Sequence, residues 1–329
     1  MLTDNHGRKI NYVRLAVTDR CNLRCFYCMP EEGIDWLART ELMSYEEMLR
    51  ICSLLVSMGI EKIRITGGEP FVRKDILQLL TALSKLPGLQ HLTLTTNGVL
   101  TAPHVPELKK IGVRSVNLSM DTLDRNRFFS ITRRDELPAV IETLEQLLRH
   151  DIEVKINAVV MDRRNIEDII PLVQLTKELP VSVRFIEEMP FNGEGNHYDH
   201  LHWHYMRIHR KIEEAFPDIQ KLPDPPHSTA YNYHIPGHKG NIGIIAAYSR
   251  TFCGTCNRIR LTPQGMLKTC LYDEGVLNVK DLMRNGLAND AIAAQLITAI
   301  QHRAINGFEA ERLRKEKKSA HESMATIGG

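Results

Sequence analysis

Two observations predict an α/β fold with parallel strands. Between residues 10 and 190 short β-rich runs alternate with helical patterns, and the alternation repeats through six strands at a spacing that suits right-handed crossovers. A third observation, that chemistry-bearing residues follow the strands at their C-terminal ends, suggests a barrel-like sheet of six βα units, one quarter short of eight-fold closure. An open doubly wound sheet shares the pattern, and periodicity alone does not choose between them.

Taken in order, "NYVRLAV" is the first strand, and a helix over 44–59 follows the first loop. Ser44 and Glu47 make a capping box there, Met48, Ile51, Cys52 and Leu55 recur at three- and four-residue spacing, and Gly59 suits the stop. "KIRIT" precedes a helix over about 73–86, and "HLTLTT" one over about 103–111. "SVNLSM" is followed by a short helix near 124–131 and a longer one near 137–149; "EVKINAVV", a helix over 165–179 and "VSVRFIE" complete the six. After Glu188 the texture changes to a loop rich in Gly, Asn and His, then to the Pro/Gly-punctuated "KLPDPPHSTAYNYHIPGHKGNIG". The expected division is a core over 1–218 and a smaller C-terminal part over 219–329, ending in a polar, charged tail that closes on a diglycine.

The 329 residues, 43% of them apolar, suffice for one large domain and a smaller one. A formal net charge of +2 argues against a protein that coats nucleic acid or a membrane surface, and leaves any anion site to a few placed arginines. With no basic-then-apolar start and no run of 18 apolar residues, the expectation is a cytoplasmic protein without membrane or nucleic-acid partners, as a monomer or homodimer. Seven cysteines in such a chain do not read as a disulfide framework. Cys52 falls on the buried stripe of its helix and reads as an inert core residue.

The other six form two trios. Cys21, Cys25 and Cys28 are spaced C-x3-C-x2-C directly after the first strand. Three thiolates on one loop can hold three irons of a cubic 4Fe-4S cluster and leave the fourth open to a chelating small molecule; a zinc site completed by histidine is the competing reading. Cys253, Cys256 and Cys270 are spaced C-x2-C-x13-C and are again one ligand short, so zinc with a histidine competes there too. Arg258 and Arg260 follow directly; in an extended segment both point to one face, where guanidinium forks suit phosphate oxygens. His200, His202 and His204 alternate, which suits a ligand strand but spreads around a helix, and a solvated face is the expectation.

The motif Cys21, Cys25, Tyr27, Cys28 resembles the defining C-x3-C-x-aromatic-C of radical S-adenosylmethionine (SAM) enzymes. "KIRITGGEP", "LTTNG", "VNLSMDTL", "VKINAVV", "RFIEEMPFNGEGN", "CNRIRLTPQGMLKTCL" and the final "IGG" resemble one family among them, the GTP 3′,8-cyclases of molybdenum cofactor biosynthesis, from about Asn11 to Gly329. The resemblance implies an incomplete (βα)6 TIM-type barrel of the radical SAM type with a smaller C-terminal iron–sulfur domain. It implies two 4Fe-4S clusters, one on each trio, the first binding SAM and the second meeting the guanine of GTP. Tyr27 (through its backbone), Gly68, Ser119 and Met189 are then assigned to SAM, with Asn97 and Asp121 as neighbours. Arg14, Arg64, Thr95, Lys155, Arg258, Ile259 and Arg260 are assigned to GTP, with Arg184 a weaker addition, and Arg258, Arg260, Gly328 and Gly329 are assigned to the chemistry. The implied reaction turns GTP into 3′,8-cyclo-7,8-dihydro-GTP through a 5′-deoxyadenosyl radical that removes hydrogen from C3′. The implied partners are an electron donor such as flavodoxin or ferredoxin and a downstream cyclic pyranopterin monophosphate synthase. A radical SAM enzyme acting on a peptide, or an iron–sulfur sensor without turnover, are the alternatives.

Overall fold

The computed structural model describes residues 1–189, 191, 201–314 and 322–328. The six expected strands are β1 (Tyr12–Ala16), β2 (Lys62–Thr66), β3 (His91–Thr96), β4 (Ser115–Ser119), β5 (Glu153–Val160) and β6 (Ser182–Glu187). The helices between them are α1 (Tyr45–Ser57), α2 (Ile76–Ser84), α3 (Val105–Ile111), α4 (Arg125–Thr132), α5 (Leu137–Arg149) and α6 (Ile169–Glu178). The capping box at Ser44 and Glu47 is present, so two donors at the start of α1 are satisfied by side chains.

The C-terminal half adds more strands to the same sheet. After α7 (Tyr205–Ala215) come β7 (Gln220–Lys221), β8 (Ala230–His234) and β9 (Asn241–Ile245), then β10 (Arg258–Leu261), β11 (Met266–Lys268) and β12 (Leu277–Asn278). Four helices, α8 (Val279–Arg284), α9 (Asn289–Gln301), α10 (Gly307–Arg312) and α11 (Met324–Ile327), finish the chain. The strand order is β12-β11-β10-β1-β2-β3-β4-β5-β6-β9-β8-β7. Since β10 joins β1 and β9 joins β6, both in parallel, the parallel row grows from the six strands read in the sequence to eight. Its two ends do not pair with each other among the described residues, so the sheet stays open between β9 and β10.

Alternation explains the two faces. On β1, Val13 and Leu15 are wholly buried against the helices, whereas Tyr12 and Arg14 face the concave side. Phe185, Ile63, Val116 and Leu144 belong to one continuous core between strands and helices. Cys52 lies in that core on α1, fully buried, and burial pushes its thiol up to about 12. Cys52→Ala should therefore cost about 1 kcal/mol in urea unfolding while leaving the iron bound per chain after reconstitution unchanged; a loss of iron would show that Cys52 is a ligand.

Candidate active site

The C-terminal ends of the parallel strands open into a cavity of about 310 Å³, within the range of small-molecule sites. Both cysteine trios line it. All six thiols are free and partly exposed.

The first trio sits on the loop after β1, and four backbone hydrogen bonds shape that loop from two sides. Arg24 and Phe26 donate their backbone N–H to the carbonyls of Thr132 and Ile131 at the end of α4. The glycine loop after β2 packs onto it from the other side: Gly68 and Glu69 donate to the carbonyls of Thr18 and Arg20. A Cβ on Gly67 (φ +150°) would stand 2.5 Å from the Thr18 carbonyl oxygen, and one on Gly68 2.2 Å from that of Arg20. Close packing of two backbones therefore demands both glycines, in addition to any approach by a ligand. Glu69, fully buried, accepts from Thr96 Oγ1 at 2.9 Å and from the Asn97 N–H at 2.7 Å, which ties the β2 loop to the β3 loop; burial raises its carboxyl to about 7. Asn97 Nδ2 in turn lies 3.6 Å from Cys21 Sγ and donates to Asn22 at 2.7 Å. Asp121 takes the Tyr27 hydroxyl at 2.8 Å and the Val159 N–H at 2.8 Å, and burial lifts it to about 6. Burial and then mutual repulsion, with Asp121 adding to it, raise the thiols of Cys25 and Cys28, so three thiolates here call for a cationic centre between them.

Ser119 and Met189, assigned to SAM by resemblance, also line the cavity, as do Tyr27 and Gly68. Met189 packs on the small aromatic cluster of Phe191 and Tyr272.

The concave wall is cationic. In strand register Arg14 on β1 stands beside Arg260 on β10 and Arg64 on β2, so one row carries three guanidinium groups on adjacent parallel strands. One residue pair nearer the strand starts, Tyr12 stands between Arg258 and Lys62 in the same register. Arg14, Arg64, Thr95, Arg258 and Arg260 all line the cavity, and Arg184 joins them from β6. The Nε atoms of Arg14 and Arg184 are buried without a hydrogen-bond partner among the described residues. Burial, then repulsion from Arg14 and Arg258, lowers Arg260 to about 9; burial also lowers Arg64 to about 10 and Lys62 to about 8. Burial opposes ionisation of Tyr12, yet Arg64, Arg14, Lys62 and Arg258 together bring its phenol down to about 7.

Two further residues assigned to GTP have other neighbours as well. The Lys155 ammonium on β5 lies 2.6 Å from Glu153 and 3.3 Å from Ser115 Oγ. The Ile259 side chain is wholly buried in the hydrophobic core, which leaves its backbone to face a ligand.

The second trio occupies the open side of the sheet, Cys253 and Cys256 on the crossing from β9 to β10 and Cys270 after β11. Burial raises the Cys270 thiol to about 11, while Arg258 and Arg303 overcome burial at Cys256 and lower it to about 6. The C-terminal segment enters beside it. Gly328 (φ +78°) accepts a hydrogen bond from Arg260 Nη1, and a Cβ there would lie 2.9 Å from that of Ala16 and 3.0 Å from Cγ2 of Thr66. Gly329 lies outside the described residues, as do His197 and His200 of the histidine-rich segment. His202 is exposed and His209 pairs with Glu213 at 3.8 Å. Among the described residues no three His, Cys, Asp or Glu side chains converge as a single metal ion requires.

The donor chemistry, soft thiolates in threes beside small polar and aromatic groups, fits iron–sulfur ligation. The model of the Radical SAM superfamily matches residues 15–176, and that of Molybdenum Cofactor Synthesis C matches 181–308. The chain is 41% identical over 343 aligned positions to the GTP 3′,8-cyclase of Syntrophomonas wolfei, covering all of both chains. It is 39% identical to molybdenum cofactor biosynthesis protein 1 of Drosophila melanogaster, covering 92% of this chain and 53% of that one, so it spans about half of the animal relative. A structure of Streptococcus suis SuiB bound to precursor peptide SuiA shares the fold, with a TM-score of 0.64 at 16% identity over 96% of this chain and 75% of that one. The chain is thus a radical SAM protein with SAM and an iron–sulfur cluster as cofactors. It belongs to the GTP 3′,8-cyclase family.

Sequence reasoning missed Tyr12 and Lys62, although the signal was present: each stands two residues before a predicted ligand, on the same face of its strand. Because the folded phenol of Tyr12 is held below its ordinary value of 10, its stabilisation is present above pH 10 and fades as pH falls through about 7. The empty protein should show a phenolate absorbance step near pH 7 that Tyr12→Phe removes and that a bound triphosphate moves upward. A titration unchanged by Tyr12→Phe would refute the cationic environment.

Proposed function

We propose that the cavity converts GTP to 3′,8-cyclo-7,8-dihydro-GTP by radical SAM chemistry, and that Cys253, Cys256 and Cys270 hold a second 4Fe-4S cluster facing the guanine. The observation that carries this reading is the row Arg260, Arg14 and Arg64, which among the described residues has the Tyr12 phenol nearby but no carboxylate paired with it. A triphosphate supplies such charge, and guanidinium forks bind its oxygens bidentately.

Cys21, Cys25 and Cys28 would hold the first cluster, whose chemistry when bound and reduced would be the one-electron cleavage of SAM that yields the organic radical for hydrogen removal from C3′ of GTP. The chain's own groups hold the reactants in line. Tyr27, fixed by Asp121, and Gly68, fixed on the Thr18 carbonyl, set the position of the cysteine loop against the SAM side of the cavity. Arg14, Arg64, Arg184 and Arg260 draw the triphosphate down toward the strands, which leaves ribose and base at the mouth between the trios. Arg258 stacks on Phe252 at 5.2 Å and so presents its fork from a fixed platform. The tail closes this mouth: Ser323 Oγ donates to the Cys28 carbonyl at 2.6 Å, and Met324 and Ala325 line the cavity. It thereby excludes water where the radical forms.

We place the division between core and C-terminal part at 218/219, after α7, so that the second trio and the tail belong to the smaller part. A flavodoxin or ferredoxin is proposed as electron donor and a cyclic pyranopterin monophosphate synthase as consumer of the product.

Anaerobic reconstitution should give about eight irons per chain, and addition of GTP, SAM and reductant should give 5′-deoxyadenosine together with cyclised GTP. Formation of 5′-deoxyadenosine without the cyclised nucleotide would overturn the substrate assignment; no SAM cleavage would favour a sensor. Separately, Arg258→Ala combined with Arg260→Ala should weaken GTP binding about 100-fold in calorimetry, two charge-assisted contacts being lost, while SAM affinity is kept. Equal GTP affinity would refute the anion site.

A further inference from the structure

The N-terminal eleven residues fold back as a small turn, closed by the Thr3–Lys9 bridge, and carry two charged groups, Asp4 and Arg8, to the second trio, where Arg303 meets them. Asp4 is the hub. Its Oδ1 accepts the backbone N–H of His6 and of Arg8, each at 2.9 Å, and its Oδ2 accepts Arg8 Nε at 2.6 Å. Arg8 donates onward to the carbonyls of Cys253 at 3.0 Å, Ile305 at 2.6 Å and Ala304 at 2.9 Å. Arg303, 3.9 Å from Asp4 Oδ2, donates Nη1 to the Cys256 carbonyl at 3.0 Å and Nη2 to Cys256 Sγ at 2.9 Å. The side chains of Asp4, Arg8 and Arg303 are 0%, 7% and 3% exposed. Two buried guanidinium groups thus share one carboxylate, an excess of one positive charge directed at the cysteines. A buried cation without full compensation is costly, so this excess points to an anionic neighbour.

We propose that Asp4, Arg8 and Arg303 are positioning residues for the iron–sulfur centre on Cys253, Cys256 and Cys270, and that Arg303 raises its reduction potential. The inference rests on the second-cluster reading given above. Hydrogen bonds to ligand sulfur and nearby positive charge favour the more negative, reduced form of such a centre. The two carbonyl contacts hold the ends of the Cys253–Cys256 turn, so ligand geometry and charge are set by the same pair of arginines. The Asp4 carboxylate keeps both guanidinium groups aimed and tempers their charge.

The test uses the full-length chain carrying Cys21→Ser, Cys25→Ser and Cys28→Ser, so that only the second centre loads. This parent should hold about four irons. Arg303→Gln should lower the midpoint potential followed by electron paramagnetic resonance and speed iron loss to a chelator about 10-fold. Arg303→Lys, which keeps the charge, should bring the potential back toward the parent. Asp4→Asn, which removes the anion alone, should shift it upward, a direction that damaged packing would not produce. A loaded parent whose potential and iron retention are unmoved by Arg303→Gln overturns the inference and leaves the cluster reading standing. A parent that binds no iron overturns both. Should Arg303→Gln fail to fold, Asp4→Asn decides, and an unmoved potential counts against the proposal.

Discussion

Three guanidinium groups in register on adjacent parallel strands are a constraint that the rest of the molecule has to meet. Neighbouring strands lie about 4.8 Å apart, and like charges at about 4 Å repel by about 4 kcal/mol at the effective dielectric typical of such sites. Arg260, Arg14 and Arg64 are held in that relation by the ladders of β10, β1 and β2, whose opposite faces bury Ile259, Val13, Leu15, Ile63 and Ile65 in the core. Hydrophobic packing outside the sheet thus stabilises a charge arrangement inside it that is unfavourable alone. Tyr12 relieves part of the repulsion by presenting an acidic phenol and a ring face to Lys62 and Arg64, at 5.0 and 5.5 Å. What remains is a cationic row whose charge suits an anion of several charges.

The sheet's openness follows from the same design. A closed eight-stranded barrel is filled by its own side chains; here β9 and β10 are both present and parallel to their neighbours but do not pair, and the crossing between them carries Cys253 and Cys256. The opening gives the second trio a view into the cavity that ladder closure would have removed. It also leaves the turn without support from a neighbouring strand, and the buried group of Asp4, Arg8 and Arg303 supplies that support from the two ends of the chain.

Elements dictated by local pattern were legible: six strands, the capping box of α1, and the paired inward aim of Arg258 and Arg260 all follow from periodicities of 3.6 or 2. The parallel attachment of β9 and β10 was not, because "NIGII" and "RIRL" are short and nothing local states which strand each will join. Lys155 was assigned by resemblance alone, and the structure adds that its ammonium lies beside the Glu153 carboxylate. Arg8 and Arg303 were invisible for a different reason. They meet across 295 positions of chain, and each alone is an ordinary basic residue. Gly68 was read for its approach to a ligand, whereas the structure adds a backbone partner at the Thr18 carbonyl and a close approach to that of Arg20.

The tail joins these threads. Lys268 on β11 is 1% exposed and finds its carboxylate in Glu322, at 2.9 Å, which also pairs with Arg314 at 3.1 Å. Removing one partner from a buried ion pair costs about 3–5 kcal/mol, so withdrawal of the segment 322–328 would strand a buried cation, and the docked arrangement is the favoured one. Docking in turn brings the Gly328 carbonyl onto Arg260, a member of the cationic row, through a gap between Ala16 and Thr66 that admits no side chain. On the proposed reading, an arriving triphosphate and the tail would share a guanidinium group, with the neutral carbonyl the weaker of the two acceptors. Binding can take Arg260 from the tail without releasing it, because Glu322 and Ser323 hold the segment by contacts outside the row. On the proposed reading, occupancy of the anion site would be coupled in this way to the position of Gly328.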